Sequence, residues 1–314
     1  MHRHKGAAWA GLAAFVLIAA LCSISIGPGG FLHISRTVLV FRLLRLALGI
    51  MAGGVLSLTG AALQGLLRNP LVDPFTLGVA SGAALGASLA LLAGAGTSLL
   101  LPVASFAGAL FTIVAVYFLA RIKGRVTVTG LVLAGVIVSF LFSSLVMLVM
   151  VLGHRPMGQA IYLLMGHLGV AFTRHSLWLF AGSSVVMLAG CGILFSYSRE
   201  LDIMSSSEET AKSLGVDTSR VTKLIFVVSS VLVGLVVSFT GAISFIGLVV
   251  PHLVRMMFGP AHRQVLPGSF VLGAGLLLIA DIGARNVVPG GLPLSVVTSL
   301  VGVPFFIYLL RRRF

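Results

Sequence analysis

Charge is scarce in this sequence. Asp, Glu, Lys and Arg together make up 9% of its 314 residues, against about 25% in an ordinary soluble protein. So few charges cannot cover a soluble domain of this size, and an apolar share of 58% equally excludes a disordered chain. Acids are rarest of all. Five of the seven crowd into one stretch as Glu200, Asp202, Glu208, Glu209 and Asp217, which leaves Asp73 and Asp281 for the rest of the chain. Proton- and sodium-coupled carriers depend on intramembrane acids, so this poverty points to an energy source outside the chain. The two cysteines, Cys22 and Cys191, both sit in apolar runs and suggest neither a disulfide framework nor a metal knuckle. No Gly-Lys pair occurs, so there is no phosphate-binding loop of the Walker type. Gly-x-Ser-x-Gly and His-Glu-x-x-His are missing as well. A membrane-embedded enzyme would need such a constellation; no enzyme activity, cofactor or metal site is expected of this chain.

What the sequence does have is long, continuous apolar runs. A helix needs about 20 such residues to cross a bilayer. Only helices and closed barrels satisfy their backbone in lipid, and runs that do not alternate read as helices. The expected fold is an all-α membrane protein, a single polytopic domain over 1–314 with about ten spans. They fall near 7–26, 46–67, 76–95, 101–120, 128–151, 176–197, 222–243, 246–258, 267–284 and 294–310. The eighth is short, and 241–251 is expected to hold a broken or re-entrant segment. Cys22 does not read as a lipoprotein acceptor, because Ala19 stands where such a signal has leucine.

The formal charge of +14 would suggest nucleic acid in a soluble protein. Here the basic residues lie between apolar runs, where they set topology. With the N-terminus inside, 15 of the 21 basic residues fall on the cytoplasmic side and both termini are cytoplasmic. Six arginines are left outside: Arg36, Arg42, Arg45, Arg155, Arg174 and Arg285.

Several local patterns carry expectations. Ser57-Leu-Thr-Gly-Ala61 recurs as Ser238-Phe-Thr-Gly-Ala242 five spans later, as an inverted repeat would require. Gly78, Gly82, Gly86, Ala90 and Gly94 form a smooth row on a helix, either ordinary close packing or the wall of a pathway. Arg68 to Pro74 reads as a rigid turn or a gate. Ser205 to Gly215 reads as a short cytoplasmic helix, with a capping box from Ser205–Glu208 or Ser206–Glu209 and a left-handed end at Gly215. A helix this short is not stable alone, so a partner could hold it. Asp281 and Arg285, four apart, either pair with each other or serve a function. Among eight histidines, His167 is the one candidate ligand contact.

Together these stretches resemble the permease family of ABC importers for cobalamin, iron-siderophores and haem. The likeness runs through Gly60 to Gly78, Leu131-Val-Leu-Ala-Gly-Val136, Ser207 to Gly215, Gly241 to Arg255, and Leu292-Pro293 to Phe306. It covers roughly residues 36–312. The resemblance implies a homodimer around a central pathway in a bacterial or archaeal cytoplasmic membrane. It also implies two cytoplasmic ATPase subunits and an extracytoplasmic binding protein. Docking of that binding protein maps onto Arg42, Arg45 and Arg285, with Leu44 replacing the proline of the family's Arg-Leu-Pro-Arg turn. ATPase coupling maps onto Glu208, Glu209, Ala211, Lys212, Leu214 and Gly215, within a coupling segment over 199–222. A cytoplasmic gate maps onto Leu71, Thr127, Val128 and Thr129. The expected function is inward movement of an iron chelate, haem or corrinoid; an ion-coupled secondary transporter is the alternative.

Overall fold

The computed structural model describes residues 2–27, 35–94, 99–122, 125–153, 165–288 and 290–313. Arg155 lies outside the described residues.

The described chain is helical almost throughout. In order the helices are α1 His2–Ser25, α2 Arg36–Leu66, α3 Val79–Leu92, α4 Leu100–Leu119, α5 Val128–Gly153, α6 Arg174–Ser196, α7 Ser198–Ser206, α8 Glu208–Ser213, α9 Thr218–Thr240, α10 Ile246–Phe258, α11 His262–Val287 and α12 Leu294–Arg313. A 3-10 turn, Pro74–Leu77, precedes α3. Two two-residue strands, Arg121–Ile122 and Arg125–Val126, pair antiparallel between α4 and α5. Seven helices are long and apolar enough to cross a membrane, and α3, α10 and most of α12 are shorter apolar helices. Among the described residues these make the ten expected spans.

The helices start where side chains can hold the first free N–H groups. Ser35 accepts from Val38 N, and Asp217 from Arg220 N. Thr173 and Ser176 form a reciprocal capping box at α6. α2 is the central post, with every residue from Ala52 to Leu66 buried. It starts ten residues earlier than its apolar run. Leu44, where the family's pattern has proline, keeps its N–H for the helix, and the segment of Arg42 and Arg45 is helical rather than a turn.

α2 packs on α11 through backbone. A Cβ at Gly53 would lie 2.3 Å from the Gly273 carbonyl oxygen, and one at Gly273 would lie 1.9 Å from Ser57 Oγ. The glycine row of α3 makes the same kind of contact with α4, since a Cβ at Gly86 would lie 2.1 Å from Ala104 O. This is the packing reading of that row. Gly78 instead supplies a left-handed residue, φ 80, at the turn into α3.

The expected break after α9 is present. Gly241 ends the helix at φ 70, and Phe245 adopts left-handed φ 70 before the 13-residue α10 begins. The two halves of the sequence echo therefore differ. Gly60 lies inside a helix while Gly241 stops one. Both halves keep a threonine bonded one turn back, Thr59 to Val55 O and Thr240 to Val236 O. α2 and α9 run in opposite directions: the start of α9, Thr218 to Thr222, shares a cavity with Leu66 at the end of α2, while its end at Thr240 meets His167, next to the Leu168 that packs on Gly49 in the first half of α2.

Candidate functional site

Functional side chains gather at the two ends of α2, called here the Arg45 end and the Arg68 end. Among the described residues, the first half of α1 and the second half of α12 lie toward Arg68. Trp9 of α1 packs against Phe258 with the rings tilted and their centroids 4.8 Å apart, and Phe305 and Tyr308 of α12 line a cavity with Arg68.

At the Arg45 end, three arginines from two helices converge on one acid and one helix terminus. Arg45 donates to Asp281 through Nε at 2.9 and 3.1 Å and through Nη2 at 2.7 Å. Arg285 lies 3.8 Å from the other oxygen of Asp281 and donates to Ser23 O at 2.7 Å. Arg42 donates to Ile24 O and to Ser25 O. Ser23, Ile24 and Ser25 close the last turn of α1, whose carbonyls have no helical partner and form the negative end of the helix dipole. α1 carries no basic residue in that turn, so α2 and α11 cap it from outside. Gly27 makes room, since a Cβ there would sit 2.5 Å from the Arg42 guanidinium.

The three arginines onto which docking was mapped differ in their exposure. Arg42 and Arg285 are each only 8% exposed. A buried guanidinium needs acceptors inside the protein: both find carbonyls of α1, while Arg285 Nε has Asp281 at 3.8 Å and no hydrogen bond. Arg45 keeps 26% of its side chain exposed. His167 sits nearby, half-buried, with its backbone N donating to Thr240 O at 2.7 Å. Burial, then the charge of Arg45, holds its imidazole below the ordinary value.

At the Arg68 end, the polar stretch forms two helices rather than one, broken at Ser207. That residue is extended and caps α8 by accepting from Thr210 N at 2.9 Å. The capping boxes expected from Ser205 and Ser206 do not form, because both residues are still inside α7. Gly215 is left-handed at φ 82, as expected, and Val216 N closes back onto Ala211 O. Ala211 is fully buried, whereas Glu209, Lys212, Leu214 and Gly215 are exposed. Glu208 opens α8. Leu214 is 64% exposed, an uncovered apolar side chain on a loop-like tip.

A cavity of about 700 Å³ joins Thr127, Val128 and Thr129 to Lys212, Asp217 and the end of α2. Leu71 is exposed, with its N–H bonded to Asn69 Oδ1, and lines neither this cavity nor the second, of about 540 Å³, beside it.

Two arrangements here were not read from the sequence. Gln64, buried in α2, donates to Val72 O, Gly247 O and Leu248 O, and accepts from Arg255 Nη1 at 2.6 Å. A lone amide in the run Ala61-Ala-Leu-Gln-Gly-Leu-Leu67 was the signal. Asp73 caps the 3-10 turn by accepting from Phe75 N at 3.0 Å and also accepts from the backbone of Phe245. Burial outweighs both bonds and pushes its carboxyl up to about 6.

The profile of the FecCD transport family matches residues 10–312. The chain belongs to the FecCD transport family. It is 40% identical over 273 residues to the cobalamin import system permease protein BtuC of Halobacterium salinarum, covering 87% of this chain and 72% of that one. It is 37% identical to the hemin transport system permease protein HmuU of Yersinia pestis, covering 87% and 82%. Its fold matches a metal-chelate type ABC transporter solved in an inward-facing conformation, with a TM-score of 0.86, 32% identity, and 96% and 98% of the two chains covered. The FecCD chain described here is thus a multi-pass membrane protein of the ABC permease type.

Proposed function

We propose that this chain is the membrane-spanning subunit of an ATP-driven importer that moves an iron chelate, haem or a corrinoid inward. The observation that carries this reading is the whole-chain likeness in fold and sequence to a metal-chelate type ABC transporter. On this reading two copies enclose the pathway. Two ATPase subunits sit at the Arg68 end and a binding protein docks at the Arg45 end. The exposed Leu214 on a capped helix supports an ATPase contact there, together with exposed Glu209 and Lys212 beside it. Thr127, Val128 and Thr129 form the gate on this reading, because they share a cavity with Lys212; Leu71 stands apart from it. Docking falls mainly to Arg45, which keeps 26% of its side chain exposed while its Nε and Nη2 hold Asp281. Arg42 and Arg285 hold the platform beneath it. His167, close to Arg45, is the candidate ligand contact.

The alternative, an ion-coupled carrier, gains nothing from the geometry. Asp281, the acid within the spans, is occupied by Arg45. The test is uptake into proteoliposomes containing this chain, its ATPase and its binding protein. Hemin, cyanocobalamin and ferrichrome are offered in turn, with and without ATP. ATP-dependent uptake of one of them is expected. Uptake driven by a proton or sodium gradient without ATP would overturn the reading.

A further inference from the structure

We propose that Asp202 is a positioning residue that clamps the ATPase-facing arm, α7 and α8, onto the start of α11. Through it, displacement of the arm reaches the opposite end of the molecule along the α2–α11 pair. The proposal rests on the importer reading above.

α11 lacks a cap of its own. The residue before it is Ala261, whose side chain offers no acceptor. Asp202, 60 residues earlier in the chain, supplies one. Its Oδ1 accepts from His262 N at 2.8 Å and meets His262 Nδ1 at 2.6 Å. A carboxylate only accepts, so Nδ1 carries the proton. The negative charge also faces the positive end of the α11 dipole.

The ring is wedged as well as bonded. His262 is 3% exposed, and a Cβ at Gly65 would lie 2.3 Å from its Nε2. One imidazole thus touches α7 on one side and the last turn of α2 on the other. The neighbouring residues of α7 seat the arm, with Leu201 fully buried and Met204 nearly so. Pro267 cannot donate a hydrogen bond in the second turn of α11. The first turn therefore leans more heavily on the clamp.

Beyond that turn the pair behaves as one body. α11 runs unbroken from His262 to Asp281, about 28 Å at helical rise. It is locked to α2 midway, at Gly53, Gly273 and Ser57. It is fastened again at the far end, where Asp281 receives Arg45 of α2. A shift imposed on Asp202 has no compliant loop to die out in before it reaches Arg45.

Three preparations decide the matter: wild type, Asp202→Ala and Asp202→Asn. Each is reconstituted with the ATPase and binding protein and given hemin, cyanocobalamin and ferrichrome. Asp202→Ala should still assemble with the ATPase and hydrolyse ATP, yet move about tenfold less chelate per ATP. Asp202→Asn keeps an oxygen that can accept both N–H groups and should stay close to wild type. Amide exchange of the permease alone gives a readout independent of transport. Asp202→Ala should speed exchange at residues 262–265 by about five- to tenfold, as loss of a cap does, and leave 278–285 unchanged. Wild-type coupling or unchanged exchange in Asp202→Ala would overturn the proposal. So would loss of ATPase assembly, or an Asn variant as defective as the Ala variant, since either makes Asp202 merely structural. If wild type hydrolyses ATP and takes up none of the three probes, the importer reading fails, and the exchange result alone judges the clamp.

Discussion

Arg45 of α2 grips both carboxylate oxygens of Asp281, 236 residues away on α11. Asp281 is fully buried, and Arg285 approaches its second oxygen from one turn further along the same helix. One acid thus balances two guanidinium groups. Breaking a buried pair by removing one partner costs about 3–5 kcal/mol, because a charge is left uncompensated. Asp281→Ala strands two cations and should lower the unfolding temperature in detergent sharply. Arg45→Ala leaves Asp281 with Arg285 and removes a side chain that is partly in solvent, so its effect should be smaller. Thermal unfolding of both variants checks the order; equal losses would show that Arg285 does not share the acid.

The coupling turn separates two residues that the sequence left equivalent. Leu214→Asp places a charge on an exposed tip and should leave thermal stability unchanged. It should weaken co-purification with the ATPase, since a carboxylate in place of an apolar side chain must give up its water to be buried in the contact. Ala211→Asp drives a carboxylate into a fully buried position and should impair folding itself, by roughly 2–5 kcal/mol. Melting curves together with pull-down yields distinguish the two. An unaltered pull-down for Leu214→Asp would remove the tip from the interface.

Asp73 should give stability a pH dependence of definite sign. Its folded value is about 6 against 3.8 for the free side chain. The folded state therefore binds the proton more tightly, and stability from this group falls as pH rises from about 4 through about 6. Asp73→Asn keeps an oxygen for Phe75 N but never ionises. The variant should match wild type near pH 4 and gain on it up to pH 7, after which the difference stays level. Unfolding temperatures of both proteins across that range test this; a gain at the acidic end would reverse the sign.

The sequence made the number of spans legible because each apolar run is long and the breakers are strong. The break after α9 was visible too, in Gly241 and the short run behind it. The start of α2 was not, since Arg36 to Arg45 is too charged for a hydropathy run although nothing in it stops a helix. The arginines at the Arg45 end were singled out in the sequence as unusual for topology. Their burial was invisible, because it comes from the last turn of α1 folding over them. Asp202 and His262 are 60 residues apart, and neither pattern nor spacing brings them together. Residues such as Gln64 sit between the two cases, since a lone amide among Ala and Leu demands partners without naming them.

The last prediction uses the echo of Ser-x-Thr-Gly-Ala, whose two glycines are required for different reasons. Gly60 has ordinary helical backbone, but a Cβ there would sit 2.0 Å from Gly247 O and 2.7 Å from its carbonyl carbon. Backbone cannot rotate aside as a side chain can, so Gly60→Ala must push α10 away from α2. That motion also strains the bonds from Gln64 to Gly247 O and Leu248 O. Overpacking of this kind costs about 1–3 kcal/mol. Gly241 has φ 70 and ψ −174, a region open essentially only to glycine, so Gly241→Ala should destabilise through strain, by about 1–3 kcal/mol. Gly182 of α6 is the control. A Cβ there meets nothing within 4 Å, and alanine is the better helix former by about 1 kcal/mol. Gly182→Ala should unfold at or slightly above the wild-type temperature, while the other two unfold well below it. Filling space separates the two losses. Gly247→Ala places a Cβ 2.4 Å from Pro74 Cδ and 2.8 Å from Leu56 O, one turn before Gly60 on α2, so both substitutions push α10 away from α2 and the double variant of Gly60 and Gly247 should lose less than the sum of the singles. Gly60→Ala and Gly241→Ala act through different causes, a clash and a strained backbone, so the losses of that pair should add. Additive losses for Gly60 with Gly247 would show that the two helices do not meet where these glycines lie.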